Sequence, residues 1–402
     1  MPDRAADTAP TLGASPGAAA TTPAVASRLP GVGTTIFTVM SALAARTGAV
    51  NLGQGFPDFD CDPALVGAVS AAMAEGHNQY PPMAGVAALR EAIAGKVAAL
   101  YGARPDPDTE VTVTAGATQA LLTAMLAIVH PGDEVVVPEP CYDCYAPNIA
   151  MAGGTMVPVQ MTEDFRLPWD AIGAAVTPRT RALLLNSPHN PSGTVLGADD
   201  IDALRALVAA HPKLLIVSDE VYEHMVYDGV PHRSISCHPD LAARAFVISS
   251  FGKSFHVTGW KVGYCIAPPT LTAEFRKAHQ FVVFTVNTPA QVGIARYLAD
   301  PAPYLTLPAF YQAKRDRFLA GLSRTRLRPL RCEGSYFQVV DYSAISDATE
   351  AEFARWLATE IGVAAIPMTA FYSRPRERRL ARFCFAKHDR TLDAAIDRLS
   401  RL

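Results

Sequence analysis

Residues 214–222 read Leu-Leu-Ile-Val-Ser-Asp-Glu-Val-Tyr. An apolar run that ends abruptly at Asp219 and Glu220 is typical of a strand that is buried on both faces and stops at a sheet edge. A carboxylate at such a place must be paired, or it takes up a proton. Asp219 is therefore a candidate partner for a cation, although a helix-capping acid would also fit. Tyr222 lies one helical turn further on, so it can share the face of Asp219.

Similar apolar runs recur on both sides of this stretch, with helical patterns between them. The arrangement predicts an α/β fold in which helices cover a mainly parallel sheet. Polar residues cluster where the runs end, and ligands bind at strand ends in open α/β sheets. The predicted strands are 111–114, 134–138, 181–185, 214–218, 246–250 and 262–267, and a helix is predicted over 119–129.

From about residue 300 the character of the sequence changes, which predicts a second, α+β unit. It begins with a long charged helix over 308–323, continues with short strands near Tyr336 and Arg382, and closes with a helix from Asp389. The predicted division is a disordered tail (1–28), an N-terminal arm with part of the small domain (29–60), a large ligand-binding domain (61–300) and a C-terminal small domain (301–402).

The bulk composition predicts an ordinary globular protein. The chain has 402 residues, of which 50% are apolar and 18% charged, with a net charge of −3. We therefore expect neither nucleic acid nor a membrane as a partner, since no apolar run approaches the roughly 18 residues of a membrane span. Seven scattered cysteines favour a reducing, cytoplasmic location. No metal is expected, because the Cys141/Cys144 pair stands alone and HExxH is missing.

Lys253 lies in the run Ser250-Phe-Gly-Lys253, directly after a predicted strand. Apolar surroundings lower the pKa of a lysine and favour amine chemistry. The run also fits the S-x-x-K of serine β-lactamases, but that family's S-D-N and K-T-G motifs are missing. An amine for a Schiff base and an acid for a pyridinium nitrogen are what pyridoxal phosphate (PLP) requires. In Asn186-Ser-Pro-His-Asn190-Pro-Ser-Gly193, an Asn can hydrogen-bond the phenolate oxygen of PLP. The succession Asn190, Asp219, Lys253 therefore predicts a PLP site.

Three further stretches supply candidate ligands. Thr114-Ala-Gly-Ala-Thr118 follows a strand and opens a helix, so the amides of Ala117 and Thr118 could face a phosphate. Thr118 could equally be a plain helix cap. Tyr142 could stack on a cofactor ring or pack in the core. Arg382 lies in an otherwise apolar strand, where a guanidinium needs a bidentate carboxylate such as a substrate provides.

With these residues in place, the chain resembles class I aminotransferases of fold type I over about residues 29–402. It is most similar to the branch of bacterial methionine aminotransferases and kynurenine/glutamine transaminases. The resemblance is carried by Asn51-Leu-Gly-Gln-Gly-Phe-Pro-Asp-Phe59, Gln79-Tyr-Pro-Pro-Met-Ala-Gly85, and the segments 114–120, 186–193, 218–224, 249–264 and 382–387.

The resemblance implies a large domain with a mainly parallel seven-stranded sheet, a smaller α+β domain, PLP as cofactor and a homodimer. It implies catalytic residues Lys253 (Schiff base), Asp219 (pyridinium partner) and Tyr222, which holds the ring oxygen with Asn190. Tyr142 would stack on the ring. The implied phosphate ligands are Gly116, Ala117, Thr118, Ser250 and Lys261; the implied substrate-carboxylate ligands are Gly55, Asn190 and Arg382; and Tyr80 and Phe284 would reach into the partner's cofactor and substrate sites.

The implied reaction is a ping-pong transfer of the amino group of methionine, glutamine or aromatic amino acids, including kynurenine, to a 2-oxo acid. A PLP-dependent lyase acting on cystathionine or cysteine conjugates remains an alternative, since fold and cofactor are shared. A PLP-sensing DNA-binding regulator is not expected, because the N-terminal segment lacks a basic face. Candidates for the specificity pocket are Phe56, Tyr101, Phe371 and Tyr372.

Overall fold

The computed structural model describes residues 25–402, so most of the predicted tail lies outside the described residues. Strands and helices alternate through the first two thirds of this part. The strands are β1 (Val50–Asn51), β2 (Val111–Thr114), β3 (Glu134–Glu139), β4 (Thr155–Gln160), β5 (Thr180–Asn186), β6 (Leu215–Asp219), β7 (Ala245–Ser250), β8 (Gly263–Ile266), β9 (Arg328–Pro329), β10 (Phe337–Asp341), β11 (Val363–Ala364), β12 (Ile366–Pro367) and β13 (Leu380–Cys384).

None of the helices in the described part is long and apolar enough to cross a membrane. They are α1 (Ile36–Thr47), α2 (Pro63–Ala74), α3 (Ala87–Tyr101), α4 (Gly116–Ile128), α5 (Tyr145–Met151), α6 (Trp169–Ala175), α7 (Ala198–Ala210), α8 (Pro239–Ala242), α9 (Phe251–Ser254), α10 (Pro269–Val282), α11 (Thr288–Tyr297), α12 (Ala302–Leu305), α13 (Leu307–Leu322), α14 (Glu350–Trp356) and α15 (Asp389–Leu399).

The largest sheet has seven strands in the order β2-β8-β7-β6-β5-β3-β4. Strands β3 to β7 pair in parallel, whereas β8 is antiparallel to both of its neighbours. Successive residues of β6 show why its apolar run is continuous. Ile216 joins the hydrophobic cluster on one face and Val217 joins the cluster on the other, so both faces are covered. The predicted α/β fold with a mainly parallel seven-stranded sheet is confirmed.

A second, four-stranded antiparallel sheet has the order β12-β13-β10-β9. Its middle strands pair so that Arg382 lies opposite Val339. The N-terminal segment joins this region, because β1 pairs in parallel with β11 and Leu52 accepts a hydrogen bond from the Cys384 amide. This pairing directs the following residues, Gly53 to Phe56, towards the edge of the large sheet. The domain boundaries given above remain a prediction.

Several element boundaries differ from the predicted ones for physical reasons. Helix α4 begins at Gly116 rather than at residue 119, because small residues form its first turn and show no amphipathic pattern. Strand β4 was not predicted, since most of its residues are exposed or half-buried and Pro158 interrupts it. The segment after Asp219 forms turns rather than a helix, so Tyr222 owes its position to a turn.

A buried polar cluster centred on Glu223 lies beneath the strand ends. One carboxylate oxygen of Glu223 accepts from Lys96 Nζ (2.7 Å), Ser249 Oγ (2.6 Å) and the Tyr264 hydroxyl (2.8 Å), and the other accepts from the Tyr101 hydroxyl (2.7 Å). Burial opposes ionisation of Glu223, but Lys96 and these hydrogen bonds hold its pKa well below the usual value. The cluster therefore joins α3, β7, β8 and the turn after β6 through one charged group.

Candidate active site

A cavity of about 400 Å³ opens at the carboxyl ends of β5, β6 and β7. The loop 53–56 and Arg382 close it from the side of the second sheet. Most of the predicted site residues meet here: Gly55, Ala117, Thr118, Tyr142, Asn190, Asp219, Tyr222, Ser250, Lys253, Lys261 and Arg382 all line the cavity.

Lys253 lies on α9, immediately after β7, and its amine faces two oxygen atoms. Nζ donates to the Tyr336 hydroxyl at 2.9 Å and to the Gly55 carbonyl at 3.4 Å. Burial lowers the pKa of Lys253 to about 8, and nearby Asp219 only partly opposes this shift. The buried amine therefore loses its proton far more readily than an exposed lysine does, which suits a nucleophile or a proton carrier.

Asp219 is the last residue of β6 and is buried at the cavity floor. Its Oδ2 accepts from the Tyr145 hydroxyl at 2.8 Å, and its Oδ1 accepts from the Val221 amide at 3.3 Å. Burial raises the pKa of Asp219 to about 6, although these hydrogen bonds and Lys253 act in the opposite direction. A protonated ring nitrogen would be a fitting partner, since it would stabilise the carboxylate in this buried place.

Arg382 is a fully buried cation that contacts uncharged oxygen atoms. Its Nη1 donates to Asn190 Oδ1 at 2.6 Å, and its Nη2 donates to the Gly53 carbonyl at 3.2 Å. The guanidinium stacks over the Phe337 ring, 3.8 Å from its centroid. Burial lowers its pKa to about 10, and its Nε has no hydrogen-bond partner among the described residues. Both observations favour a carboxylate ligand at this place.

The N-terminus of α4 offers a second anion site. The helix begins without a side-chain cap, so the amides of Ala117 and Thr118 in its first turn remain available. Gly116 has φ +75°, and a Cβ there would lie 3.3 Å from Lys261 Nζ, so only glycine lets the cation approach this closely. The Ser250 hydroxyl lines the same end of the cavity. Together these groups fit a phosphate.

Two tyrosines of the predicted site lie beside the amine and the acid. Tyr222 is buried, and its ring centroid is 5.6 Å from Lys253 Nζ. Tyr142 lines the cavity, with its ring 5.9 Å from that of Tyr145. Burial raises the pKa of both Tyr142 and Tyr222, so both hydroxyls stay protonated and can donate. The predicted stacking of Tyr142 on a ring stays a prediction.

Tyr80 and Phe284 lie outside this cavity. Their rings pack edge to face with centroids 5.3 Å apart. Tyr80 is 81% exposed and Phe284 44% exposed, and Phe281 nearby in the chain is 86% exposed. Tyr80 and Phe284 therefore form an exposed aromatic pair rather than part of the site within the same chain.

Two functional contacts were missed by the sequence analysis, and only Phe56 of the four specificity candidates lines the cavity. Tyr145 and Tyr336 contact Asp219 and Lys253 from distant positions, and nothing in the sequence distinguishes them from core aromatics. Tyr101 does not line the cavity, because its hydroxyl donates to Glu223. The other three candidates differ in where they lie. Phe56 lines the cavity, and Phe371 packs on Arg382. Tyr372 is not among the lining residues.

The donor set fits PLP group by group. A buried acid, a buried amine of lowered pKa and an uncapped helix N-terminus beside Lys261 match the ring nitrogen, the aldehyde and the phosphate. Arg382, with its unpartnered Nε, lies beyond these groups and matches a substrate carboxylate. The cavity therefore suits a PLP enzyme that acts on a carboxylic acid.

Comparisons with known proteins agree with this chemistry. A family model described as aminotransferase class I and II matches residues 47–399. Methionine aminotransferase of Escherichia coli is 51% identical over 378 residues, covering 94% of this chain and 98% of the relative. A probable N-succinyldiaminopimelate aminotransferase of Mycobacterium tuberculosis is 44% identical, covering 94% and 98%. Kynurenine–oxoglutarate transaminase 1 of Mus musculus is 36% identical, covering 93% and 96%.

The fold agrees equally well with solved structures. The crystal structure of an Escherichia coli protein with a methionine aminotransferase function matches with a TM-score of 0.93 and 50% identity, covering 95% of this chain and 100% of that one. An aspartate aminotransferase from Thermus thermophilus matches with a TM-score of 0.86 at 31% identity, covering 94% and 100%. The chain thus belongs to the class I and II aminotransferase family, as a PLP-dependent amino-acid aminotransferase of fold type I.

Proposed function

We propose that this enzyme transfers the amino group of methionine, glutamine or an aromatic amino acid, including kynurenine, to a 2-oxo acid by a ping-pong mechanism. The cations that line the cavity carry the argument for this substrate class. Among the described lining residues they are Lys253, Lys261 and Arg382. Each already matches one anion or the aldehyde, so none is left for a second carboxylate on the side chain of the donor.

The apolar lining supports the same substrate class. Phe37, Phe56 and Phe337 border the cavity, and two of them lie close to Arg382. The Arg382 guanidinium lies 5.4 Å from the centroid of the Phe37 ring and 3.8 Å from that of Phe337. Aromatic walls favour uncharged side chains such as a thioether or a ring, because these bury apolar surface there.

The residues of the chain divide the chemistry between them. PLP, when bound, supplies an electron sink for the substrate carbanion. Asp219 would hold the proton on the ring nitrogen, while Asn190 and Tyr222 would donate to the ring oxygen. The Lys253 amine carries a proton between the substrate Cα and the cofactor, and such a positioned acid and base contributes about 10²–10⁴-fold. Arg382 fixes the substrate carboxylate so that the Cα–H bond faces this amine.

A homodimer and a cytoplasmic location are part of the proposal. The exposed side chains of Tyr80, Phe281 and Phe284 support the dimer, since aromatic residues are enriched at the centres of interfaces. The free thiols of all seven cysteines suit a reducing compartment. Tyr80→Phe should weaken PLP retention by about tenfold or less, as expected for one lost hydrogen bond, without changing folding. A fully active monomer in sedimentation experiments would contradict the dimer.

A donor screen at a fixed 2-oxo acid, with product acids identified by mass spectrometry, tests the proposed substrates. Methionine, glutamine and aromatic donors should give the highest kcat/KM. N-succinyldiaminopimelate and aspartate serve as donors with an extra carboxylate, and Lys253→Ala serves as the inactive control. A higher kcat/KM for the donors with an extra carboxylate would contradict the proposal that no cation of the cavity is left to bind one. Release of pyruvate and ammonia from cystathionine as the fastest reaction would instead favour the lyase.

A further inference from the structure

The Tyr336 hydroxyl contacts the Lys253 amine, although Tyr336 is none of the residues proposed to hold PLP or the substrate. It lies directly beside the Lys253 amine, at 2.9 Å, and beside the Gly55 carbonyl, at 2.5 Å. Tyr336 is completely buried, and its ring packs edge to face against those of Tyr222 and Phe337. Burial raises the pKa of Tyr336 well above its usual value, so the phenol keeps its proton.

The hydrogen-bond directions at this hydroxyl follow from its single proton. A carbonyl oxygen can only accept, so the Tyr336 proton goes to Gly55 and the phenol oxygen accepts from Lys253. The amine makes a second, longer contact of 3.4 Å to the same Gly55 carbonyl. A neutral amine has two N–H bonds, and both then point at these oxygen atoms. Its lone pair is left free on the remaining side of the nitrogen.

We infer that the Tyr336 hydroxyl and the Gly55 carbonyl form a resting seat for the Lys253 amine after a substrate has displaced it from the cofactor, and that this seat orients the amine lone pair for proton transfer. The inference rests on the proposed function. In that step the lone pair takes the proton from the substrate Cα, giving an ammonium, and the ammonium returns the proton to the cofactor carbon. Both oxygen acceptors can hold the amine in either protonation state.

The surroundings of the amine explain why a phenol suits this position. The charged groups that act on Lys253 are Asp219, Lys261 and Arg382, and the Cys384 thiol and the rings of Tyr222 and Tyr336 complete its environment. A further carboxylate at the seat would pair with the amine and raise its pKa, whereas a phenol adds no charge. The seat therefore holds the amine without keeping it protonated, so the lone pair stays available.

A neighbouring tyrosine provides a matched control. The Tyr311 ring lies 5.8 Å from that of Tyr336 in the same buried aromatic group. Its hydroxyl is buried and has no hydrogen-bond partner among the described residues. Removing this hydroxyl changes the packing in the same way as removing that of Tyr336, but it takes no contact from the amine.

Displacement of the lysine can be measured without turnover by using α-methylmethionine. This donor has no Cα–H bond, so it can displace Lys253 from the cofactor in the holoenzyme but cannot react further. Absorbance titration gives its apparent dissociation constant. Tyr336→Phe should raise this constant by about threefold to tenfold, as expected for one lost hydrogen bond to an uncharged group. Tyr311→Phe should leave it unchanged.

An unchanged constant in Tyr336→Phe, or an equal increase in Tyr311→Phe, would overturn the seat. If Tyr336→Phe failed to hold PLP, 3-fluorotyrosine at position 336 would replace it, because fluorine weakens the oxygen as an acceptor while keeping ring and hydroxyl. The constant should then rise by a smaller factor, and no rise would count against the seat. Failure of the wild-type enzyme itself to show the absorbance change would count against the proposed function instead.

Discussion

The two sides of the active-site cavity are held in place in different ways. One side, the cofactor wall, consists of Asn190, Asp219, Ser250, Lys253 and Lys261. The first four lie at or shortly after the ends of β5, β6 and β7, and Lys261 lies just before β8, which starts at the same edge because it is antiparallel to β7. Their positions follow directly from the strands that precede or follow them. Replacing a side chain there should therefore change the chemistry and leave the geometry of the wall intact.

The opposite side, the substrate wall, consists of the loop 53–56 with Tyr336, Phe337 and Arg382. Side chains of the C-terminal region hold its loop by the backbone carbonyls. Arg382 donates a hydrogen bond to the Gly53 carbonyl. The buried Lys387 donates to the carbonyls of Gln54 (3.3 Å) and Phe56 (2.7 Å). The cofactor wall is thus positioned by the strands of the sheet, whereas the substrate wall depends on contacts between segments that are distant in the chain.

The largest effect should come from the cofactor wall, with Lys253→Ala. Both half-reactions should slow by more than about 10⁴-fold, because one side chain serves as covalent anchor and as proton carrier. Single-turnover absorbance changes with methionine and with a 2-oxo acid give the two rates. The exposed Lys213, at the opposite end of β6, provides the control Lys213→Ala. In the wild type, a borohydride-fixed pyridoxyl group on any lysine except Lys253 would contradict the assignment.

Asp219→Asn should have the next largest effect. A neutral amide no longer stabilises the charge on the ring nitrogen, and a loss of a few pKa units corresponds to a roughly thousandfold slower deprotonation. PLP should still be held by the remaining cofactor wall. Asp143→Asn, at another carboxylate that lines the cavity, is the control. Near-normal single-turnover rates in Asp219→Asn would rule out the electron-sink assignment.

The raised pKa of Asp219, about 6, adds a pH test to this variant. Above this pH the carboxylate is ionised and can pair with a charged ring nitrogen, so PLP should bind more weakly as the pH falls below about 6. The stability of the cofactor-free chain has the opposite sign. The folded carboxyl holds its proton more tightly than the unfolded one, so this contribution is present below about pH 4 and is lost as the pH rises through 6. Asp219→Asn should abolish both dependences.

Arg382→Lys tests the substrate wall and should act more mildly. Lysine keeps the charge but loses the planar fork that orients a carboxylate, so both half-reactions should slow by about 100-fold. PLP absorbance should stay normal, since the cofactor wall is untouched. Arg376→Lys, an exposed position, is the control. Normal rates in both half-reactions would mean that the carboxylate binds elsewhere.

Lys387→Met should have the smallest effect and affect only one wall. It leaves the Gln54 and Phe56 carbonyls without their donor, so the loop should loosen and KM for methionine should rise by about tenfold. PLP affinity should not change. Lys277→Met, at an exposed lysine on α10, is the control. An equal loss of PLP affinity and of methionine affinity would show that the two walls are not separable.

The same difference between the walls explains which residues of the active site could be predicted from the sequence. Asn190, Asp219 and Lys253 were identified because each follows an apolar run that ends at one edge of the sheet. Tyr145 and Tyr336 meet that edge only through contacts that span 74 and 83 positions of the chain. An aromatic residue in an apolar context looks the same whether it packs in the core or donates to an acid.

Secondary structure was predictable to the same extent. The buried strands of the large sheet were found because continuous apolar runs mark them, although β6 extends to Asp219 itself. Strand β4 lies at the sheet edge, where exposure and Pro158 remove this signal. The glycine turn of 114–118 indicated that a helix opens there, but the predicted bounds of α4 began only at residue 119, because Gly116, Ala117 and Thr118 are small residues whose spacing shows no apolar face.

The polar cluster around Glu223 has a consequence for how this sequence can diverge. Lys96 and Glu223 are both buried, and removing either alone would leave an uncompensated buried charge at a cost of about 3–5 kcal/mol. A substitution at only one of these two positions should therefore destabilise the fold, unless the other position changes with it. We expect natural variants of this enzyme to change the pair together, for example to methionine and glutamine, or to keep both. The lineage would thus inherit the two residues as one unit, although 127 positions separate them.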